Sequence, residues 1–366
     1  MKILFLIHDL GNGGAEKVLV NLVNNMDQRK FDITVMALFG GGVNEQFLKQ
    51  HIRLITCHQK TIRGNSHLMK LFSPKQLYRY YIKEHYDIVV SYLEGPSARI
   101  VSGCPDSDTK LATWIHCTMH SPEHVARAFR SKREALTCYN RMVAMVYVAG
   151  TVQDAFLKNC AYRGKNCVLY NTNESEKILE KASENAELPG KGLRWCGVGK
   201  VTENKGFDRM IRIQERLQRD GISAQLCILG DGPQRAELEA LARKCGVDHC
   251  VTFCGYQTNP YQYVSKCDLF VCASHSEGFS TAATEALIVG TPVCTVEVSG
   301  MKEMLGENNE WGIVTDNDEE ALYQGIKQLL DDPALLAHYK EKAAQRGKMF
   351  STENTVKAVE DMLLSL

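Results

Sequence analysis

The sequence lacks a long apolar run. The nearest candidate, residues 142–149, is far shorter than the roughly 18 to 20 apolar residues that a membrane-spanning helix needs. The first apolar run, residues 3–7, is too short for a secretory signal and ends at His8. We therefore expect a protein without membrane-spanning segments, soluble or at most peripheral.

The sequence also lacks an excess of charge of either sign. Lys plus Arg and Asp plus Glu number 43 each among the 366 residues. A balanced charge gives no overall attraction to nucleic acid or to an anionic membrane, because opposite charges cancel at a distance. We expect no nucleic-acid partner, and any lipid-binding surface must be a local one.

Pairs of the type CxxC are absent, although the chain has 14 cysteines. Cysteines without a secretory signal indicate a reducing compartment, where thiols serve as small core residues rather than as disulfides. The spacing of Cys245, Cys250 and Cys254 fits no zinc ribbon. We therefore expect a cytoplasmic protein without a bound metal.

The dinucleotide fingerprint of nicotinamide dehydrogenases is missing. Gly13 and Gly14 follow the first predicted strand and precede a helix, so the backbone there can approach a ligand closely. The fingerprint would need a further glycine at position 16, which is Glu16. This pattern argues against a dehydrogenase and leaves a general ligand-binding loop.

A Walker loop for ATP is missing as well. Gly199, Lys200 and Lys205 follow a later predicted strand, where backbone amides and two ammonium groups can bind a diphosphate. A Walker loop would need glycine at position 194 and serine or threonine at position 201, where this chain has Arg194 and Val201. Alone, this loop would more simply be an exposed turn with solvated lysines.

What is present is a regular alternation of short apolar runs with longer amphipathic stretches. This pattern is typical of α/β folds in which helices cover parallel sheets. The alternation pauses after residue 171 and resumes near Arg194, so we predict two Rossmann-like, doubly wound domains, residues 1–171 and 172–350. Apolar residues at helical spacing in 351–366 predict a closing helix.

Two glutamates mark the most specific stretch of the sequence. Glu277 lies in a predicted loop and Glu285 lies in the helix that follows, which Ser280 is placed to cap. Carboxylates on both sides of a helix N-terminus can bind the hydroxyls of a sugar nucleotide, while lysines neutralise its diphosphate. An isolated loop glutamate would be unremarkable, but the lysine loop before it favours a donor site.

These motifs together resemble family 4 of the retaining glycosyltransferases. The resemblance rests on Glu277 and Glu285 with seven residues between them, on the lysine loop, and on residues 229–233 and 290–293. Residues 13–17 are similar to the acceptor-domain loop of that family. The similarity covers nearly the whole chain.

The resemblance implies a GT-B fold, in which two Rossmann-like domains, acceptor-binding and then donor-binding, face each other across a cleft. The closing helix, residues 351–366, would cross back to the first domain. It also implies retaining, metal-independent transfer of a hexosyl or N-acetylhexosaminyl group from a UDP-sugar, without a cofactor. The acceptor would be a saccharide or a polyprenyl-linked sugar, and the product a cell-surface polysaccharide.

The resemblance also implies roles for individual residues. Glu277, Lys200, Lys205 and His116 would be catalytic, with the lysines on the diphosphate and the other two on the sugar. Glu285 would bond the ribose. A packed or capping role is the competing interpretation of His116. The other implied donor-binding residues are Gly13, Gly14, Gly199, Gly255, Tyr256, Gly278, Phe279, Ser280 and Thr281.

A local basic cluster follows His116. It lies beside Phe129 and the apolar residues 142–148, and comprises Arg127, Arg130, Lys132, Arg133 and Arg141. Such a surface suits anionic lipid headgroups at the inner face of the cell membrane, or the diphosphate of a lipid-linked acceptor. A solvated helix face is the equally simple alternative.

Two other functions are compatible with the same donor site. A UDP-sugar epimerase of this fold would bind the donor and transfer nothing to an acceptor. A catalytically silent nucleotide-sugar-binding protein would bind it without turnover. The presence of both glutamates and both lysines favours a working transferase over the silent protein.

Overall fold

The computed structural model describes residues 1–11, 13–60, 65–188 and 192–366 of the chain. These residues divide into two compact units. The first unit comprises Met1–Asn173 and Thr352–Leu366, and the second comprises Glu174–Ser351. The assignment of the units to acceptor and donor stays a prediction. In the described ranges, no helix is long and apolar enough to cross a bilayer.

A parallel sheet lies at the centre of each unit. The strands, in chain order, are β1 (Lys2–Ile7), β2 (Asp32–Phe39), β3 (Arg53–His58), β4 (Ile88–Ser91), β5 (Lys110–Ile115), β6 (Ala144–Tyr147), β7 (Lys165–Val168), β8 (Leu193–Val198), β9 (Ala224–Leu229), β10 (Val251–Gly255), β11 (Leu269–Cys272), β12 (Val293–Val296) and β13 (Ile313–Thr315).

Helices connect these strands. In chain order they are α1 (Gly14–Asn25), α2 (Asn65–Met69), α3 (Pro74–Tyr81), α4 (Pro96–Val101), α5 (Pro122–Val125), α6 (Lys132–Tyr139), α7 (Gly150–Asn159), α8 (Ser175–Ala182), α9 (Phe207–Arg219), α10 (Arg235–Lys244), α11 (Tyr261–Val264), α12 (Thr281–Ile288), α13 (Met301–Leu305), α14 (Glu319–Asp331), α15 (Pro333–Gly347) and α16 (Thr352–Leu364). Short 3₁₀ turns lie at Glu45–Phe47, Glu203–Lys205 and Lys348–Phe350.

The first sheet has the strand order β3-β2-β1-β4-β5-β6-β7. β1 pairs in parallel with β2 on one side and with β4 on the other. Residues 3–7 are buried, because helices cover both faces of a parallel sheet, and this burial explains their continuous apolar character. The strand order reverses at β1, so the loop after β1 lies where open α/β sheets bind ligands.

The last helix, α16, packs on the first unit. Its residues Val356, Val359, Met362 and Leu363 belong to the same apolar core as the residues of β1 and α1. Glu360 at the edge of this contact accepts a hydrogen bond at 2.7 Å from the backbone N–H of Asp27. The predicted closing helix on the first domain is therefore confirmed.

The second sheet has the strand order β10-β9-β8-β11-β12-β13. β8 at its centre carries the fully buried Trp195, whose indole Nε1 donates a 2.7 Å hydrogen bond to Gln214 of α9. β8 pairs in parallel with β9 and with β11, so the strand order reverses between them. Two parallel-sheet α/β domains confirm the predicted fold class.

One sequence interpretation is wrong. The sequence pattern suggests that the apolar residues beside the basic cluster belong to a membrane-facing surface. Ala144–Tyr147 instead form β6, an inner strand of the first sheet, and Phe129 and Met142 are also buried. A membrane cannot contact these side chains, because they are already covered by the core of the unit.

Candidate functional site

Two loops of the second unit leave the same edge of the sheet. Residues 199–206 follow β8 and residues 273–280 follow β11, and these two strands are parallel neighbours. The backbone N–H of His275 donates to the carbonyl of Asn204 at 2.8 Å. The Asn204 side chain donates in return to the carbonyl of Ser276 at 2.9 Å. Asn204, which the sequence did not point to, thus joins the lysine loop to the glutamate loop.

The predicted catalytic residues Lys205 and Glu277 are in contact. Lys205 Nζ lies 2.5 Å from Glu277 Oε1, and the Ser274 hydroxyl donates to the same oxygen at 2.7 Å. The side chains of Lys205 and Glu277 are only 29% and 12% exposed. Partial burial strengthens such a charge-assisted bond relative to a solvated pair, so the two residues have defined positions.

Gly206 allows this close approach. It has a left-handed backbone, with φ of 63°, and is the N-cap residue just before α9. A Cβ atom at this position would lie 2.1 Å from the carbonyl oxygen of Ala273, at the end of β11. Only glycine avoids both the backbone strain and this collision, which brings the lysine loop against the glutamate loop.

Arg209 supports the glutamate loop from the side. Its Nη1 donates to Asn317 Oδ1 at 2.8 Å, and its Nη2 lies 2.8 Å from His275 Nδ1. The Asn317 side chain donates to the carbonyl of His275 at 3.3 Å. The three residues come from separate parts of the chain, so no local sequence pattern could identify them as a set.

Glu285 lies on α12, which follows the glutamate loop. Ser280 caps this helix as predicted, since its hydroxyl accepts from the backbone N–H of Ala283 at 3.3 Å. Glu285 is only 8% exposed, and its Oε1 accepts a 3.1 Å hydrogen bond from the hydroxyl of Tyr261. Tyr261 is therefore a further site residue that the sequence did not indicate.

The other predicted donor-binding residues of the second unit lie at or just beyond the carboxyl ends of its strands. Tyr256 follows the left-handed Gly255 after β10 and is 67% exposed. The Phe279 side chain is buried instead, with its ring centroid 6.1 Å from that of Phe350. Lys200 is exposed in the same loop as Lys205. The remaining positions are Gly199, Gly278, Ser280 and Thr281.

His116 lies at the carboxyl end of β5 in the first unit. Its backbone N–H donates to Glu94 at 2.9 Å, and its ring packs against Tyr92. Its Nε2 atom is buried and has no hydrogen-bond partner among the described residues. Burial lowers the pKa of His116, although the Glu94 charge opposes this shift, so the imidazole is neutral near pH 7.

The glycine loop of the first unit connects β1 to α1. Gly13 precedes the helix and Gly14 begins it. The carboxylate of Glu16 covers Gly13 so closely that a Cβ there would lie 2.0 Å from Oε2. Burial raises the pKa of this carboxyl. The side chain of Asn44, from the loop after β2, donates to the carbonyl of Gly11 and braces the glycine loop.

Family models match both halves of the chain. The model of the group 1 glycosyl transferases matches residues 180–346, and that of glycosyltransferase family 4 matches residues 12–172. The chain belongs to glycosyltransferase family 4. The lysine and glutamate loops of this glycosyltransferase lie within the first match, and its glycine loop and His116 lie within the second.

Relatives of similar length support this assignment to family 4. The N-acetylgalactosamine-N,N'-diacetylbacillosaminyl-diphospho-undecaprenol 4-alpha-N-acetylgalactosaminyltransferase of Campylobacter jejuni is 28% identical, over 99% of this chain and 98% of its own. The lipopolysaccharide core biosynthesis glycosyltransferase LpsD of Rhizobium meliloti is 26% identical, over 100% and 98%.

Solved structures show the GT-B fold of this family 4 member. Anabaena Alr3699/HepE in complex with UDP superposes with a TM-score of 0.77 at 18% identity, covering 100% of both chains. WaaG, a glycosyltransferase of lipopolysaccharide biosynthesis, superposes with a TM-score of 0.73 at 17% identity, covering 98% of this chain and 99% of its own.

Proposed function

We propose that this glycosyltransferase moves a hexosyl or N-acetylhexosaminyl group from a UDP-sugar to a saccharide or lipid-linked acceptor, with retention and without a metal ion. The observation that carries the proposal is the Lys205–Glu277 pair, held by Ser274 where the strand order of the second sheet reverses. That edge of an α/β sheet is where nucleotides bind.

In this proposal the donor replaces the ion pair. The ammonium groups of Lys205 and of Lys200, from the same loop, bind the diphosphate of the UDP-sugar. Glu277 then loses its bond to Lys205 and accepts hydrogen bonds from sugar hydroxyls. Two ammonium groups supply the charge that a magnesium ion would supply in other transferases. Glu285, buried beside Tyr261, bonds the ribose, and the exposed Tyr256 contacts the base.

The transfer itself exchanges one bond for another at the anomeric carbon. The bond to the UDP oxygen breaks while the bond to the acceptor oxygen forms on the same face of the sugar. The proton of the acceptor hydroxyl passes to the departing phosphate oxygen. Lysines that stabilise the charge growing on the diphosphate lower the barrier more than they aid binding.

We assign His116 to a sugar hydroxyl. A neutral imidazole with a buried, unpartnered nitrogen is suited to one hydrogen bond with an uncharged group, because burying an unpaired polar atom is unfavourable. The basic side chain of a lysine would be unsuited to the same buried position. Gly13 and Gly14 offer backbone N–H groups at the start of α1, and we place the donor phosphates or sugar against them.

We place the reaction in the cytoplasm, with acceptors at the inner face of the cell membrane. All 14 cysteines are free thiols, as suits a reducing compartment. The Campylobacter jejuni relative acts on an undecaprenol-linked acceptor, and the Rhizobium meliloti relative serves lipopolysaccharide core biosynthesis. These names favour a role in cell-surface polysaccharide assembly and favour transfer over epimerisation.

The test is a screen of UDP- and GDP-sugars against the purified chain. A UDP-sugar at a hundredfold excess over its Kd should raise the free energy of unfolding by about 2.7 kcal/mol. The same compound should release UDP slowly in water and faster with acceptor, and a chelator should leave the rate unchanged. Product analysis should show the anomeric configuration of the donor in the new linkage.

Lys205→Ala should reduce the stabilisation by UDP-sugar and lower the rate of UDP release far more strongly. Lys327→Ala is the matched control, because Lys327 also pairs with a carboxylate, Asp220, on the surface of the same unit. The proposal fails if Lys205→Ala binds and turns over the donor like the control. Interconversion of the UDP-sugar without UDP release would instead identify an epimerase.

A further inference from the structure

Three large apolar side chains are exposed close together in the first unit. Leu68, Leu71 and Phe72 are 52%, 73% and 51% exposed. Leu68 lies in the last turn of α2, and Leu71 and Phe72 lie between α2 and α3. Single exposed apolar residues are ordinary on protein surfaces, but three within five positions form a patch that commonly marks an interaction site.

A buried arginine holds this patch in place. Arg99, only 1% exposed, donates from Nη1 to the carbonyl of Met69 at 2.8 Å and from Nη2 to the carbonyl of Phe72 at 2.7 Å. Glu134 balances its charge, with Nη2 and Oε1 3.0 Å apart. A paired, buried guanidinium thus fixes the backbone on both sides of Leu71, so the exposure of the patch is built into the fold.

Basic residues surround the patch. Lys70 donates from Nζ to the carbonyl of Arg127 at 2.8 Å, and Arg130 donates from Nε to the carbonyl of Lys70 at 2.5 Å. The basic cluster found in the sequence therefore adjoins residues 68–72 rather than the buried β6. Nearby carboxylates are already engaged, Glu134 by Arg99 and Glu123 by Lys132, which leaves the rim positive.

A cavity of about 680 Å³ opens directly beside the patch. Lys75 and Arg133, both exposed, line it together with Arg141, and the charge of Glu134, which also lines it, is balanced by Arg99. Ser73 and Ser131 also line it, and they cap the N-termini of α3 and α6. Two helix N-termini and three basic side chains give this cavity a positive potential that suits a phosphate group.

We propose that this face docks on a bilayer that contains anionic phospholipid. Leu68, Leu71 and Phe72 enter the boundary between headgroups and acyl chains, and the surrounding basic residues contact headgroup phosphates. One headgroup occupies the cavity between Lys75 and Arg133. An apolar tip with a positive rim complements a membrane surface, which is apolar inside and negative at its edge. The overall charge of the chain is balanced, so this attraction is local.

The test is sedimentation of the full chain with vesicles of phosphatidylcholine, alone or mixed with phosphatidylglycerol. The chain should bind the mixed vesicles, and salt should weaken this binding, because it screens charges beyond about 10 Å at 0.1 M. The double variant Leu71→Ser/Phe72→Ser should lower the partition coefficient by about tenfold or more. Lys75→Ser/Arg133→Ser should lower it by about fivefold for each charge removed, on mixed vesicles alone.

Leu179→Ser is the matched control, because Leu179 is equally exposed but lies on α8 of the second unit. It should bind like the parent chain. Release of UDP to a soluble saccharide acceptor should be unchanged in every variant, since none alters the donor site. No binding to mixed vesicles, or equal binding by the parent and the Leu71/Phe72 variant, overturns the proposal. Binding is measured without donor, so this failure is distinguishable from a failure of the proposed reaction.

Discussion

The carboxyl-terminal edges of the two sheets carry different kinds of site. In the second unit, the charged groups Lys205 and Glu277 already bond each other and Ser274. In the first unit, His116 presents a neutral ring whose Nε2 has no partner among the described residues. A ligand of the second unit must therefore replace hydrogen bonds that Lys205 and Glu277 already make. A ligand of the first unit would add a hydrogen bond to His116 Nε2 without breaking one.

This difference predicts how substitutions combine. Where two residues bond each other, removing one changes the surroundings of the other, so their effects are not independent. Where a buried nitrogen such as His116 Nε2 has no protein partner, its removal should weaken the contact with the ligand and leave no protein group unpaired by that atom. The predictions below use both consequences, beginning with the largest effect.

Lys205→Ala and Glu277→Ala should each lower kcat/KM by about 10³-fold, because each removes charge stabilisation from the transition state. The double variant should be little worse than either single one, since groups that act as a unit lose their effect together. Initial rates of UDP release at several donor concentrations measure this. If the loss of kcat/KM in the double variant equals the product of the two single losses, Lys205 and Glu277 act independently and not as a pair.

His116→Ala should lower kcat/KM by about 10-fold to 100-fold, as expected for one hydrogen bond to the substrate. The melting temperature should fall only modestly, because the ring packing against Tyr92 is lost but no protein group loses a bond to Nε2. His116→Asn, which keeps a polar side chain, is the comparison. If both variants melt far below the parent while turning over normally, His116 serves the fold and not the reaction.

Ser274→Ala should have a smaller effect on the second unit. Glu277 Oε1 loses one of its two hydrogen-bond donors but keeps Lys205, so we expect a loss of about 1 kcal/mol in stability or a severalfold lower kcat. Ser274→Thr, which keeps the hydroxyl, should recover most of it. The proposed positioning of Glu277 by Ser274 would be contradicted by an unchanged kcat together with unchanged stability.

The smallest expected effect is a pH dependence specific to the first unit. The pKa of His116 is lowered on folding, so just below about pH 6.5 the unfolded chain binds a proton that the folded chain does not. Stability then rises with pH up to that value and is flat above it. The free energy of unfolding should fall between about pH 7.5 and pH 6, and His116 should contribute less than about 1 kcal/mol of this fall. His116→Gln should remove that contribution, as measured by urea unfolding at both pH values, about 7.5 and about 6.

The strands and the positions of the lysine and glutamate loops could be predicted from the sequence because their signals are local. Residues 3–7 form a continuous apolar run because helices cover both faces of β1. Ser280 marked the start of α12 because a hydroxyl at that position replaces a missing backbone partner. Lys205 and Glu277 stand in loops next to these elements, and the catalytic roles that the family resemblance implies for them stay predictions.

The contacts that complete the site were not accessible in this way. Asn204, Arg209 and Tyr261 act through residues far away in the chain, and no spacing rule connects them. Apolar runs also do not reveal which side chains stay exposed. Met142 and residues 144–148 form an apolar run that suggests a membrane surface but are covered by the core, whereas Leu71 and Phe72, without a distinctive pattern, remain in solvent.

The position of α16 has a consequence for how the chain folds during synthesis. Val356, Val359, Met362 and Leu363 complete the core of the first unit, yet the ribosome makes them only after Glu174–Ser351. At about 5 to 20 residues per second, the nascent first unit waits roughly 10 to 35 seconds with this part of its core uncovered. During that interval its exposed apolar surface is open to chaperones or to other nascent chains, so translation speed should influence the yield of folded enzyme.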